Sequence, residues 1–246
     1  MQKVLLSSGG MDSWLLAHEP ELKGAVHVFV DIGQKYKIKE QAAAEYLAAA
    51  LGAQFEYVEG PDLGQYEHST GIIPFRNAQM LLLAGLYGEQ IYFGVIADEI
   101  NSDKSPEFVA AIQETMNISH RAQYWTHGKN YQILTPFRQY TKSELVRRFL
   151  VNGGSLDKLL TSVSCYDAGA KHCGRCASCF KRWVALVNAT NADKWEQWGF
   201  VQHPYTWKTR DEWYSKMNDY SEERAGEIHG AFITAQEIIT IAERVL

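Results

Sequence analysis

From Ser7 to Ser13 the chain reads Ser-Ser-Gly-Gly-Met-Asp-Ser, directly after the apolar run Val4-Leu5-Leu6. Two adjacent glycines let the backbone turn tightly with its amides facing inward. The hydroxyls of Ser8 and Ser13 add donors where a helix begins, and a helix N-terminus favours an anion. A nucleotide phosphate is the natural occupant of such a cradle. Neither GxxxxGK[ST] nor GxGxxG after a strand occurs, so the chain is neither a P-loop NTPase nor a dinucleotide binder. The second reactive group is the set of four cysteines: Cys165, then Cys173-Gly-Arg-Cys176-Ala-Ser-Cys179. This density on one loop running into a helix suits tetrahedral zinc, and four thiolates leave the metal no open position, which makes its role structural. An iron–sulfur cluster is the alternative, although no cysteine-proline ending supports it. Disulfides are disfavoured by the absence of a secretory signal and by the crowding of three of the cysteines.

These groups need a frame, and the hydrophobic pattern supplies one. Strands are predicted at 4–6, 26–31, 54–58, 90–95 and 131–134, alternating with helices from residue 14 and at 37–51, 76–87, 106–116 and 141–150. Thr141 followed by Glu144 has the spacing of a capping box. Alternation of this kind implies parallel βαβ units with the ligand at the carboxyl ends of the strands, where the glycine loop falls. From about residue 190 the character changes, with Trp195, Trp198, Trp207 and Trp213 in a polar background. An amphipathic helix is then predicted over 231–246, with Phe232, Ala235, Ile239 and Ala242 on one face. A helical appendage packed on the core is favoured over a partner-binding arm. The predicted organisation is an α/β domain at 1–160, a zinc-binding loop and helix at 161–190, and a tryptophan-rich helical extension at 191–246.

The chain has 246 residues, 46% of them hydrophobic and 22% charged, with a net charge of −5. That composition describes a soluble globular protein and argues against an extended nucleic-acid surface. No apolar run is long enough to cross a bilayer, and no signal peptide is recognisable, so a cytoplasmic location is expected. His172, beside the cysteines, reads as a surface histidine rather than a ligand.

SGGxDS resembles the loop of ATP pyrophosphatases, which holds the β- and γ-phosphates and exposes the α-phosphorus to a substrate oxygen. Taken with the cysteine loop, the chain resembles the 7-cyano-7-deazaguanine synthase family over most of residues 1–190. Asp31-Ile32-Gly33-Gln34 is similar to the family's Asp-Tyr-Gly-Gln, and Ile73-Pro74-Phe75-Arg76-Asn77 to its Val-Pro-Gly-Arg-Asn. Thr135-Pro136-Phe137 with Lys142 is similar to its Thr-Pro-Leu and lysine, and Ser164-Cys165-Tyr166 to its Thr-Cys-Tyr. The resemblance implies a Rossmann-like parallel sheet of the adenine nucleotide α-hydrolase type, with a zinc-binding helical region and a helical C-terminal extension. It implies ATP held by Ser7, Ser8, Gly9, Gly10, Met11, Asp12, Ser13, Asp31 and Gly94, with Mg²⁺ near Asp12. Asp12, Arg76 and Lys142 are the expected catalytic residues. Phe75, Arg76, Asn77, Asp98 and Glu107 are expected to face the acid substrate, and Cys165, Cys173, Cys176 and Cys179 to hold structural zinc.

The implied reaction takes 7-carboxy-7-deazaguanine, ammonia and ATP to the nitrile, in a homodimer. Phenylalanine stands at 75 where the family has glycine, and the segment 98–108 departs from the family's substrate-side sequence. These departures motivate a related reading, a ligase that stops at the amide or joins the acid to another amine. A tRNA-modifying ATP pyrophosphatase would need basic RNA-binding surface, which this composition lacks. A catalytically inactive zinc-stabilised nucleotide-binding module is disfavoured by the intact glycine loop.

Overall fold

The structure is a computed structural model that describes residues 1–69, 72–97, 99, 102–206, 211–213, 215 and 219–245, leaving aside the side chains of residues 102 and 237–245. It divides into two units, Met1–Gln139 and Tyr140–Leu246.

In the first unit, five short runs pair into an all-parallel sheet in the order β3-β2-β1-β4-β5. They are β1 (Lys3–Leu6), β2 (Val26–Asp31), β3 (Phe55–Glu59), β4 (Gln90–Tyr92) and β5 (Gln132–Leu134). All six residues of β2 are buried, as expected of an inner strand covered on both faces. Parallel neighbours need crossover connections. These carry α1 (Met11–Leu16), α2 (Lys37–Leu51), α3 (Arg76–Ala84) and α4 (Pro106–Ser119). Val4, Leu6, Val28, Val30, Leu81, Ile91 and Met116 form the core between sheet and helices. The chain adds β2 and β3 on one side of β1, then crosses over to add β4 and β5 on the other. The order therefore reverses between β1 and β4, the switch point at which open α/β sheets leave a ligand crevice.

The α/β architecture expected from the alternation is present, with local corrections. α1 begins at Met11 rather than at residue 14, because the Gly10 carbonyl accepts the Trp14 amide at 2.9 Å and draws Asp12 and Ser13 into the first turn. β4 ends at Tyr92 rather than 95; Phe93 still donates to Leu134 at 2.9 Å, but the chain then bends. α3 stops at Ala84, short of the predicted 87. Asn117 fixes the entry to β5 by accepting from the Tyr131 amide at 2.7 Å and donating to its carbonyl at 3.3 Å.

The second unit contains α5 (Lys142–Val151), α6 (Leu156–Leu160), α7 (Ala177–Thr190) and α8 (Glu222–Val245). The capping box at Thr141 and Glu144 forms in both directions. α8 starts at Glu222 rather than 231, with Ser221 Oγ accepting the Arg224 amide at 3.3 Å. Ile228, Ala231, Phe232 and Ala235 line its fully buried face. Ile239 and Ala242, assigned to the same face from sequence, have side chains outside the description. The extension packs within its unit: Trp213 stacks on Phe180 with centroids 4.3 Å apart, Trp198 is buried, and Trp183 meets Tyr205 and Phe232. Trp207 lies outside the described residues. Only the second half of the extension is predominantly helical; the described part of 191–221 is turns and bends apart from a short helical stretch at 211–213. Among the described residues, no helix is long and apolar enough to cross a membrane.

Candidate functional site

The glycine loop follows β1 at the switch point. Gly9 has φ 67°, and a Cβ there would lie 2.3 Å from the Glu40 carbonyl oxygen, so both conformation and space demand glycine. The loop therefore sits directly on α2. Ser8 Oγ lies 3.3 Å from Ser13 Oγ and accepts the Gly10 amide at 3.4 Å, while Ser13 Oγ donates to the Gly10 carbonyl at 3.1 Å. The serines thus shape the loop, and neither caps α1, whose N-cap Gly10 has no side-chain bond. Ser7 is fully buried and its hydroxyl makes no hydrogen bond. An orphaned donor beside a cradle that a Cβ would fill suits an oxyanion. Gly94, just past β4, approaches from the other side: a Cβ there would meet the Ser13 amide at 3.4 Å and Asp12 at 3.5 Å. The structure thus brings Asp12, Ser13 and Gly94 together at the switch point.

Asp31 closes β2 on the neighbouring strand. Its carboxylate accepts from the Gly33 amide at 2.8 Å, Lys37 Nζ at 2.7 Å and Tyr57 Oη at 2.6 Å. Burial alone would raise its pKa, but these bonds hold the carboxyl below the usual range. Sequence reasoning missed the adjoining Gln34–Glu40 pair. Gln34 accepts the Ile32 amide at 3.0 Å and donates to Glu40 at 3.2 Å. Burial raises the Glu40 carboxyl to about 7, against the Gln34 hydrogen bond and the charges of Arg76 and Lys39. No spacing rule marks Glu40, because its setting is created by α2 packing on Gly9.

Of the residues expected on the acid side, Phe75, Arg76 and Asn77 lie at the start of α3. Phe75 is its N-cap, with φ 58° and ψ 9°, and the residue is 75% exposed. A left-handed conformation costs an L-residue about 1–2 kcal/mol. Arg76 opens α3 and is partly buried. Asn77 is buried and donates to the Asp103 carbonyl at 3.4 Å, which ties α3 to the segment before α4. Glu107 is exposed in the first turn of α4, where hydrogen bonds to its own backbone and to Ser105 lower its pKa. Asp98 lies outside the described residues. Lys142 belongs to the second unit, at the first position of α5.

The second unit holds the thiol cluster. The four Sγ atoms of Cys165, Cys173, Cys176 and Cys179 lie within 4.8 Å of one another, and Cys173 Sγ is 3.9 Å from Cys179 Sγ. A tetrahedron with Zn–S of about 2.3 Å has edges of about 3.8 Å, so the cluster fits zinc. Amides of Asp167 and Cys173 donate to Cys165, that of Arg175 to Cys173 and that of Cys179 to Cys176, at 3.3–3.4 Å. Such donors stabilise thiolate ligands. Hydrogen bonds from Cys165 and Cys179 push the Cys176 thiol down to about 3, while hydrogen bonds to Cys165 and Cys176 push Cys179 up. Cys176 also serves as N-cap of α7, so one side chain both starts the helix and enters the cluster. Gly174, with φ 75°, makes the turn between ligands; a Cβ there would overlap the Gln202 carbonyl at 2.0 Å. Arg182, fully buried, bridges α7 to Ser162, Ser164 and the Leu160 carbonyl. His172 is outside the cluster, and it is not the surface residue expected: it is buried, and its Nε2 accepts the Ser164 amide at 3.2 Å.

The family model described as "Queuosine biosynthesis protein QueC" matches residues 59–190. A 7-cyano-7-deazaguanine synthase of Methanosphaerula palustris is 30% identical over 227 residues, covering 78% of this chain and 97% of the relative. Proteins of the same name from Synechococcus elongatus and Rhizobium etli are 29% identical, over 76% and 90% of this chain and 90% and 98% of their own lengths. The relatives are named for a synthase activity, and the chain belongs to the QueC family of queuosine biosynthesis proteins.

Proposed function

We propose that the chain is an ATP-dependent 7-cyano-7-deazaguanine synthase, a C–N ligase that acts on 7-carboxy-7-deazaguanine and ammonia. The observation that most supports this is the meeting of Asp12, Ser13 and Gly94 at the switch point of a QueC-family sheet. A carboxylate resists attack because its charge repels a nucleophile and oxide is a poor leaving group; adenylation removes both obstacles. The carboxylate oxygen attacks the α-phosphorus, pyrophosphate leaves into the loop of residues 7–13, and ammonia displaces AMP to give the amide. Adenylation of the amide oxygen by a second ATP, followed by loss of AMP and a proton, gives the nitrile.

In this reading Ser7, Ser8, Gly9, Gly10, Met11 and Ser13 hold the phosphates, and Asp31 and Gly94 border the nucleoside. Mg²⁺ bound with Asp12 supplies charge neutralisation for the phosphates. Arg76 and Lys142 stabilise charge that develops during transfer. Phe75, Asn77, Asp98 and Glu107 face the acid. Zinc on Cys165, Cys173, Cys176 and Cys179 anchors the loop before α7 and takes no part in the chemistry. The enzyme works in the cytoplasm as a homodimer.

The test is nucleotide product analysis with purified protein and Mg-ATP, with and without 7-carboxy-7-deazaguanine. AMP and pyrophosphate that form only with the acid are expected. ADP and phosphate as products, or AMP release indifferent to the acid, would overturn the assignment.

A further inference from the structure

The chain makes its entry into α3 through a turn at Ile73-Pro74-Phe75-Arg76, closed by the Arg76 amide donating to the Ile73 carbonyl at 3.4 Å. Proline at the second position with a left-handed residue at the third is the signature of a type II turn, whose third position favours glycine or asparagine. Here it is Phe75, with φ 58°. Among the described residues, the other non-glycine with positive φ is Asn191, a residue type that tolerates this region and that closes α7. Phe75 has no such local reason.

Packing offers no compensation either, since the residue is 75% exposed. The backbone is nevertheless held on both sides. Ile73 is buried in the core cluster, and Asn77 is buried and bound to the Asp103 carbonyl. The strained turn therefore fixes an aromatic ring in solvent next to Arg76, a partly buried cation whose charge reaches Glu40. Backbone strain that the surrounding structure imposes and that folding does not reward is a mark of a ligand-binding residue.

We infer that Phe75 is the stacking platform for the planar ring of the acid substrate, a fused heteroaromatic carboxylate whose charged group meets Arg76. This deepens the proposed function and rests on its reading of the acid side. A flat aromatic face accepts a heteroaromatic ring with little specificity, and the adjacent guanidinium supplies selection for the acid. Glycine at this position would free the turn and remove the platform, so the inference predicts opposite signs for stability and binding.

The experiment is isothermal titration of the zinc-loaded wild-type protein and of Phe75→Gly, Phe75→Leu and Phe75→Trp, with activity not required. The probes are 7-carboxy-7-deazaguanine, other fused heteroaromatic acids, neutral guanine, and ATP. Wild type and Phe75→Trp are expected to bind at least one fused heteroaromatic acid, with Phe75→Leu and Phe75→Gly weaker by about tenfold or more. ATP affinity should be equal in all four proteins, and the melting temperature of Phe75→Gly should match or exceed that of wild type. Phe75→Leu keeps both bulk and turn strain, so it reports on the aromatic face even if the glycine variant alters the turn. The same order with an acid other than 7-carboxy-7-deazaguanine supports the platform while refuting the proposed substrate. Equal acid binding by wild type and Phe75→Leu, or no acid bound by wild type, overturns the inference.

Discussion

Two ionisable residues of the first unit with opposite pKa shifts, the buried His27 and the partly exposed Glu40, should nearly cancel each other's effect on the pH dependence of stability, and removing either should expose the other. Glu40 is raised by burial from 4.5 to about 7, so between these values the folded chain carries a proton that the unfolded chain has lost. Its contribution makes stability fall as pH rises. His27, buried in β2 and close enough to His18 to feel its charge, is lowered from 6.5 to about 4. The unfolded chain then carries the extra proton, and stability rises with pH. Over the shared window from 4.5 to 6.5, each contributes about 3 kcal/mol, with opposite sign. The wild type should therefore be nearly flat there. Glu40→Gln should gain about 2–3 kcal/mol of stability as pH rises across the window, and His27→Leu should lose a similar amount. Above about pH 7, Glu40→Gln should be more stable than wild type by about 3 kcal/mol, because a desolvated charge is gone. Urea unfolding across this pH range, with amide exchange of β1 and β2 reported by mass spectrometry, reads the first unit directly. A Glu40→Gln protein as flat with pH as the wild type would refute the reasoning, since Glu40 would then be a solvated carboxylate.

Three further outcomes follow from the sites. Asp12→Ala should reduce acid-dependent AMP formation at least a hundredfold with a native circular dichroism spectrum, because Asp12 is assigned to the metal and phosphates rather than to the core; an unfolded variant or retained turnover would count against that role. Cys176→Ser should lose zinc, measured by elemental mass spectrometry, together with the stability of α7, since the residue is both thiol ligand and helix cap. A stable, active, zinc-free variant would contradict the structural assignment. Gly9→Ala should destabilise the protein by about 2 kcal/mol or more, from the left-handed strain plus displacement of the Glu40 carbonyl, and should abolish ATP binding; wild-type affinity for ATP would remove the loop from the nucleotide site.

Much of the frame was legible because the physics is local. Val4-Leu5-Leu6 and Val28-Phe29-Val30 are apolar runs of the kind a strand covered on both faces requires, and the Thr141–Glu144 box, a pair three residues apart, formed as read. The cysteine spacing likewise anticipated four sulfurs in one cluster. The errors came where signals were polar or shared. Gly9-Gly10 reads as a helix breaker, yet the Gly10 carbonyl starts α1. Ser221-Glu222-Glu223-Arg224 hid the first turn of α8 in a charged run, although Arg224 is buried. The raised carboxyl of Glu40 and the burial of His172 arise only when distant segments pack, so no pattern within their own elements marks them. Phe75 is intermediate: sequence showed a bulky residue where the resembled family has glycine, and only the backbone shows that it keeps glycine's conformation.

The central claim is tested most directly by mass spectrometry of the base in a reaction of purified protein with Mg-ATP, ammonium and 7-carboxy-7-deazaguanine. The account predicts the nitrile as the end product, formed together with AMP. Amide as the final product, conjugation to another amine, or unchanged acid in the presence of ATP would contradict it.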